Sequence, residues 1–262
     1  MVKVKILPSL RAPILDQTPE AKYLQTMAII SKNIHETPIE KCVCSFSGGK
    51  DSTLVLWLIR HALEQQNKDP SSIKVMFNNT GVEYGQTITF IRELTELWNL
   101  DIIENRPEKT FFQCVKAYGW PRPKSSRKTD PGKKNKSPEC CKWLKEKPGN
   151  KALKEGKFTT CFMGITAMES HQRQMRAVTH GTCYTTIKDS IKKVHPILYW
   201  TEQEIWDFIK ENNIPWNPVY KLVDRCGCGP CTAYKLWKKN LQAVDEKMYR
   251  FVMRKQGQEL IS

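Results

Sequence analysis

The hexapeptide Ser47-Gly48-Gly49-Lys50-Asp51-Ser52 constrains this chain most, because of what stands on either side of it. Before it, Lys41 to Phe46 (KCVCSF) is a short apolar run ending at glycines, the pattern of a buried strand. After it, Asp51 to Gln66 sets Leu54, Val55, Leu58, Ile59, Ala62 and Leu63 on one helical face. Two adjacent glycines allow a sharp turn that brings backbone N–H groups close to an anion. The helix start adds the positive end of its dipole. Ser47, Ser52 and Thr53 add hydroxyl donors, and Lys50 can pair with phosphate charge. A Walker A loop is excluded, since it needs four residues between its first glycine and Gly-Lys-Ser/Thr.

The same alternation continues downstream. Ile73–Phe77, Leu100–Glu104, Thr160–Ile165 and Val194–Leu198 read as strands, and Tyr84–Asn99 and Thr201–Asn212 as helices. The last opens with Thr201 and has Glu204 three positions on, the spelling of a capping box. Ala233 to about Gln256 reads as one basic helix. Strands separated by helices predict an α/β fold with an open, mostly parallel sheet and helices on both faces. Three parts are expected: an extension over 1–35, a nucleotide-binding domain over 36–215, and a Cys-rich turn with a basic helix over 216–262 packed on that domain.

At 262 residues the chain can bury an ample core without disulfides. No apolar run approaches the roughly 20 residues that cross a bilayer, and Met1 to Gln17 lacks a signal-type apolar region. A cytoplasmic protein with no membrane partner is expected, and in that reducing compartment ten cysteines point to metal, cluster or thiol chemistry. The formal charge of +15 suits a polyanion, with nucleotide, RNA and DNA all admissible. Of that charge, +6 sits in Arg122 to Lys136, which reads either as a solvated surface loop or as a flap that contacts a polyanion. The oligomeric state is not legible.

Cys42 and Cys44 alternate on the buried strand, and they, Cys114, Cys161 and Cys183 read as structural. Cys140-Cys141 and Cys226-Gly-Cys228-Gly-Pro-Cys231 differ, because a Gly/Pro turn can fold two thiolates of a C-x-x-C to one side. Cys140, Cys141, Cys228 and Cys231 then make a four-thiolate site, which suits Zn²⁺ or an iron–sulfur cluster. Cys226 is left over, as a persulfide carrier, an alternative ligand or an idle thiol.

SGGKDS resembles the PP-loop of ATP pyrophosphatases, and other segments narrow the likeness to the phosphoadenosine-phosphosulfate reductase superfamily. Asn79-Thr80-Gly81-Val82-Glu83 is similar to its D/N-T-G-x-E segment, and Gly164 to Ser170 with Arg173 to its G-x-R-x-x-E-S-x-x-R. His195 to Thr201 and Ile214 to Tyr220 resemble its P-L-x-x-W-T and P-x-N-P-L-Y segments. Thr166 departs from the pattern, standing where the family usually carries Arg. The likeness runs from about residue 40 to 235.

The resemblance implies an adenine-nucleotide alpha-hydrolase-like (HUP) fold that binds ATP or an adenylylated sulfate, with Mg²⁺. Ser47 to Thr53 would cradle the pyrophosphate, joined by Asn79, Thr80, Gly164, Glu169 and Ser170. Lys50, Asp51 and Arg173 would be catalytic, and Lys145 and Arg173 would hold further anionic charge. Glu169 either orients Arg173 or holds Mg²⁺, and Glu83 is either a helix-start charge or a site carboxylate. A vicinal Cys-Cys, 86 residues, then C-x-x-C resembles the [4Fe–4S] pattern of adenylylsulfate reductases, which favours the cluster over zinc.

Reductases of this superfamily use a cysteine in a C-terminal tail, whereas no cysteine follows Cys231 here. Lys50 also suits an intact triphosphate. The function expected is therefore adenylation of an acceptor, then sulfur insertion. The acceptor would be a nucleic acid (DNA, as in DNA phosphorothioation systems, or tRNA), and the sulfur donor a partner such as a cysteine desulfurase. The alternatives are a sulfonucleotide reductase using Cys226 or a partner's thiol, and a non-catalytic nucleotide-binding module.

Overall fold

In a computed structural model, which describes residues 5–122, 138–186 and 190–259, the run KCVCSF forms β1 (Cys42–Phe46). Its Val43, Cys44 and Phe46 are all buried, so both faces of the strand are covered. The amphipathic stretch after the glycine loop is α2 (Lys50–Gln65), whose Leu54, Leu58 and Ile59 are wholly buried. β2 (Lys74–Asn78), α3 (Gly85–Leu97) and β3 (Asp101–Asn105) follow within a residue or two of their expected bounds. The next elements are α4 (Phe111–Tyr118), α5 (Glu139–Cys141), a π-helical turn over Lys142–Glu146 and α6 (Lys147–Glu155). β4 (Thr160–Met163), α7 (His171–His180), β5 (Cys183–Thr185), β6 (Lys192–Val194) and α8 (Glu202–Glu211) continue the chain. The strands form one open sheet in the order β3-β2-β1-β4-β6-β5. β1 runs parallel to β2 and β4, and β4 to β6, whereas β5 pairs antiparallel with β6.

The chain divides into two compact units. The first comprises Met1–Phe77, Glu93–Ile103 and Ala152–Trp216. Its core includes Val43, Met76, Leu153, Phe158 and Cys161. It also contains α1 (Pro19–Glu36), started by Thr18, whose side chain accepts from Ala21 N–H, with Pro19 just inside the helix. α8 begins with the expected capping box, Thr201 and Glu204 each satisfying the other's backbone N–H. The second unit comprises Asn78–Arg92, Glu104–Lys151 and Asn217–Ser262. One of its clusters packs Phe111, Cys114 and Val115 of α4 on Cys140 and Leu144. Another gathers Tyr84, Val219, Val223, Trp237, Leu241 and Val252.

Two expectations are corrected. The strand read at Val194–Leu198 lies earlier, at Lys192–Val194, and Pro196 to Tyr199 form a turn closed by Leu198 N–H to His195 O. Pro196 has no N–H to give a ladder, so the strand ends ahead of it. The single basic helix divides into α9 (Trp237–Val244) and α10 (Glu246–Glu259) at Asp245. Asp245 leaves helical geometry (φ −146°, ψ 84°), and its side chain accepts from Met248 N–H to start α10. The basic stretch read at 122–136 lies, Arg122 apart, outside the described residues. Among the described residues no helix is long and apolar enough to cross a membrane.

Candidate nucleotide loop and cysteine pocket

In the first unit the glycine loop stands between β1 and α2, at the carboxyl end of a central strand. Gly48 takes φ +67°, a backbone region open to glycine and costly for other residues. The loop is closed by Ser52 Oγ, which accepts from Ser47 N–H at 3.2 Å and donates to Gly49 O at 2.9 Å. Thr53 Oγ1 also donates to Gly49 O, at 3.1 Å. Lys50 is buried, and its Nζ lies 2.9 Å from Asp51 and 3.8 Å from Glu202. Two carboxylates thus hold the charge that the sequence reading assigned to phosphate.

Gly164, just beyond β4, lies against the same helix start. A Cβ there would stand 2.5 Å from the Asp51 carbonyl carbon and 2.6 Å from Ser52 N. The residues after it turn through a 3-10 segment, Ala167–Glu169, into α7, where Ser170 caps the helix by accepting from Arg173 N–H. Glu169 pairs with Arg173 across one turn. His195 lies buried beside β6, its Nδ1 without a partner. Burial pulls its pKa down to about 4 despite a hydrogen bond with the Met163 backbone.

In the second unit Cys140, Cys141, Cys226, Cys228 and Cys231 line one open cavity. Pro138 sits at the N-cap, Cys141 N–H donates to Pro138 O, and the helical turn presents the vicinal pair. The C-x-x-C arm is fastened by backbone: Cys228 bridges Glu83, Gly229 N–H donates to Val82 O at 2.8 Å, and Cys231 N–H to Cys228 O at 3.3 Å. Gly229 suits this approach, since a Cβ would stand 3.2 Å from the Tyr84 ring, tighter than an ordinary contact. Lys145, Arg225 and Asn240 complete the polar wall.

The thiols are electrostatically linked. A hydrogen bond within the vicinal pair holds Cys141 below the usual thiol range and pushes Cys140 up, so Cys140 keeps the proton. The charge at Cys228 raises Lys145 above the usual lysine range. Cys226 is pushed up by burial, and contacts Thr87 Oγ1 at 3.4 Å and Asn217 Nδ2 at 3.6 Å. Among the described residues, no three His, Cys, Asp or Glu side chains close on a single metal ion. Sulfurs around one zinc, bound at about 2.3 Å, must nearly touch, whereas the ligands of a cubane are spread over its corners. Four soft donors spread around one cavity fit the larger group.

Of the residues expected in the nucleotide site, Ser47 to Thr53, Gly164, Glu169, Ser170 and Arg173 fall in the first unit; Asn79, Thr80 and Lys145 fall in the second. Asn79 is used locally: it donates to Glu104 and accepts from Gly81 N–H. Thr80 donates to Glu83 and lies 3.5 Å from Cys228 Sγ. Glu83 Oε1 closes that turn, and its Oε2 is buried without a partner. Glu202, Arg225 and Asn240 were missed by sequence reading; only the Gly/Cys-rich context of Arg225 signals its position. Cys42, Cys44, Cys114 and Cys161 are buried, while Cys183 is half-buried. Burial pushes the Cys42 thiol up to about 12 and that of Cys161 to about 11.

A profile described as the phosphoadenosine phosphosulfate reductase domain matches residues 41–234. An uncharacterised protein of Methanocaldococcus jannaschii is 31% identical over 80% of this chain, which spans only 40% of that relative's length. An adenosine 5'-phosphosulfate reductase of Bacillus cereus is 29% identical over 72% of this chain and 71% of its own. The U34-tRNA thiolase NcsA of Methanococcus maripaludis, solved with its [4Fe-4S] cluster, superposes with a TM-score of 0.54 at 16% identity, covering 90% of this chain and 80% of that one. This last likeness concerns the fold.

Proposed function

The chain belongs to the phosphoadenosine phosphosulfate reductase family, and from that premise we propose that it is an ATP pyrophosphatase that activates a nucleic-acid acceptor, tRNA foremost, for sulfur insertion. The observation that carries this reading is the gathering of Cys140, Cys141, Cys228 and Cys231 around one cavity with the cationic Lys145 and Arg225. These four cysteines would hold a [4Fe–4S] cluster, which when bound supplies a site for the incoming sulfur. The glycine loop and the start of α2 would bind the triphosphate. Lys50 would turn from Asp51 to a phosphate oxygen, leaving the Asp51 carboxylate free for Mg²⁺, and Glu169 would orient Arg173 toward phosphate. An acceptor oxygen attacks the α-phosphorus and pyrophosphate leaves; hydrosulfide then takes the activated carbon and AMP leaves. That a structural neighbour is a tRNA thiolase supports the choice of acceptor.

The test is anaerobic incubation with ATP, total tRNA and sulfide, followed by AMP assay and nucleoside mass spectrometry. Thiolated nucleoside and stoichiometric AMP are expected, with Lys50→Ala slower by on the order of 10²-fold and Cys231→Ser depleted of iron. A second reading, reduction of adenylylsulfate, is favoured by the likeness to the B. cereus enzyme. Sulfite release from adenylylsulfate with thioredoxin, without AMP formation from ATP, would establish it and overturn the first.

A further inference from the structure

The π-helical turn that follows the vicinal cysteines carries Trp143, whose indole collects two ammonium groups. Lys147 Nζ lies 3.1 Å from its ring centre and Lys109 Nζ 4.0 Å. Lys109 reaches a second ring as well, standing 5.4 Å from the centre of Tyr118 and donating to its hydroxyl at 3.3 Å. Neither ammonium has a carboxylate partner among the described residues. Tyr118 is 45% exposed, Lys147, Lys116 and Lys142 are exposed, and Trp143 is half-buried. Trp143 packs against the buried cluster of Phe111, Cys114, Val115, Cys140 and Leu144, which holds the ring as a platform.

Two like charges on one indole repel each other, and a cation–π contact at an exposed site returns only about 0.5–1 kcal/mol. Among the described residues such a pair lacks an anion. Among the described residues neither Trp143 nor Tyr118 stacks on another aromatic ring. A ligand that supplies both, with phosphates a few ångströms from planar rings, is an unpaired polynucleotide, whose bases can stack where those of a duplex are buried.

We propose that Trp143, Tyr118, Lys109 and Lys147 form a docking surface for a single-stranded segment of the RNA acceptor. Bases stack on the two rings as the lysines swing out to the phosphates. The surface lies within the second unit, two residues along the chain from Cys141, so it presents an unpaired nucleotide to the unit that holds the cysteine pocket. This deepens the function proposed above and rests on it for the choice of RNA.

The test is fluorescence anisotropy of the full chain with a fluorescein-labelled single-stranded RNA of about twelve nucleotides, competed by the same sequence as a duplex. Lys109→Gln/Lys147→Gln, an exchange of one half-buried and one exposed side chain, is expected to weaken binding about tenfold and to flatten its salt dependence. Trp143→Phe is expected to weaken it several-fold, and the duplex to compete poorly. Unchanged affinity of the lysine variant, or a duplex that competes as well as the single strand, overturns the proposal. RNA binding that depends on these residues without thiolation leaves the surface standing and defeats the catalytic reading. Thiolation with unchanged KM in the lysine variant does the reverse.

Discussion

Gly164 sits where any side chain would strike the first turn of α2, its missing Cβ only 2.5–2.6 Å from backbone atoms of Asp51 and Ser52. Backbone cannot yield as a flexible side chain can, so Gly164→Ala must push the helix start away from the glycine loop. We expect a loss of about 1–3 kcal/mol in urea unfolding, together with weaker ATP binding by calorimetry. Gly257, in α10, is the opposite case, with nothing within 4 Å of the position a methyl group would take. Gly257→Ala is expected to stabilise by about 0.5–1 kcal/mol through helix propensity. In the sequence, the two glycines differ only by their neighbours. The flanking motif marks Gly164 as special, but the reason lies in a contact with residues more than a hundred positions away.

Elements show the same division. α2 and α8 are legible because their apolar spacing and caps are local, and local rules decide a helix that also has a face to bury. The stretch that forms α1 carries no motif beyond its Thr18-Pro19 start, yet the helix is anchored by a buried ion pair. Lys22 is 1% exposed; its Nζ meets Glu204 at 2.6 and 2.8 Å and donates to Ile14 O at 2.6 Å. Glu204 is also the capping-box acid of α8, so one carboxylate starts that helix and holds the segment before α1. Lys22→Met removes one partner of a buried pair and is expected to cost about 3–5 kcal/mol. Hydrogen exchange in α1 should rise, and Lys22→Met with Glu204→Gln should recover part of the loss.

At the scale of the whole molecule, acid stability reports on burial that no single element provides. His195 is packed to 6% exposure, and its pKa falls from 6.5 to about 4. Between those values the unfolded chain binds the proton and the folded one does not, so stability is full above about pH 6.5 and is lost as pH falls through about 4. The span corresponds to about 3 kcal/mol. Urea midpoints from pH 7 to 4 should fall less steeply in His195→Gln than in the wild type. The net charge of +15 belongs to this scale too: it suggests a polyanion, while the position of Lys109 and Lys147 on Trp143 suggests which surface meets it.

By itself the sequence determined the glycine loop, the alternation of strand and helix, and the family, because each depends on residues close together in the chain. It also marked five of ten cysteines as a group through their spacing. Only the tertiary structure decided that these five share one cavity, that Glu202 joins Asp51 on Lys50, and that Lys109 and Lys147 meet on one indole. Those facts join residues from distant segments, and a pairing made by packing leaves no local pattern to read. The break at Asp245 is a different kind of case. There a side chain outcompetes the helix for a backbone N–H, and the outcome is set by geometry that composition does not carry.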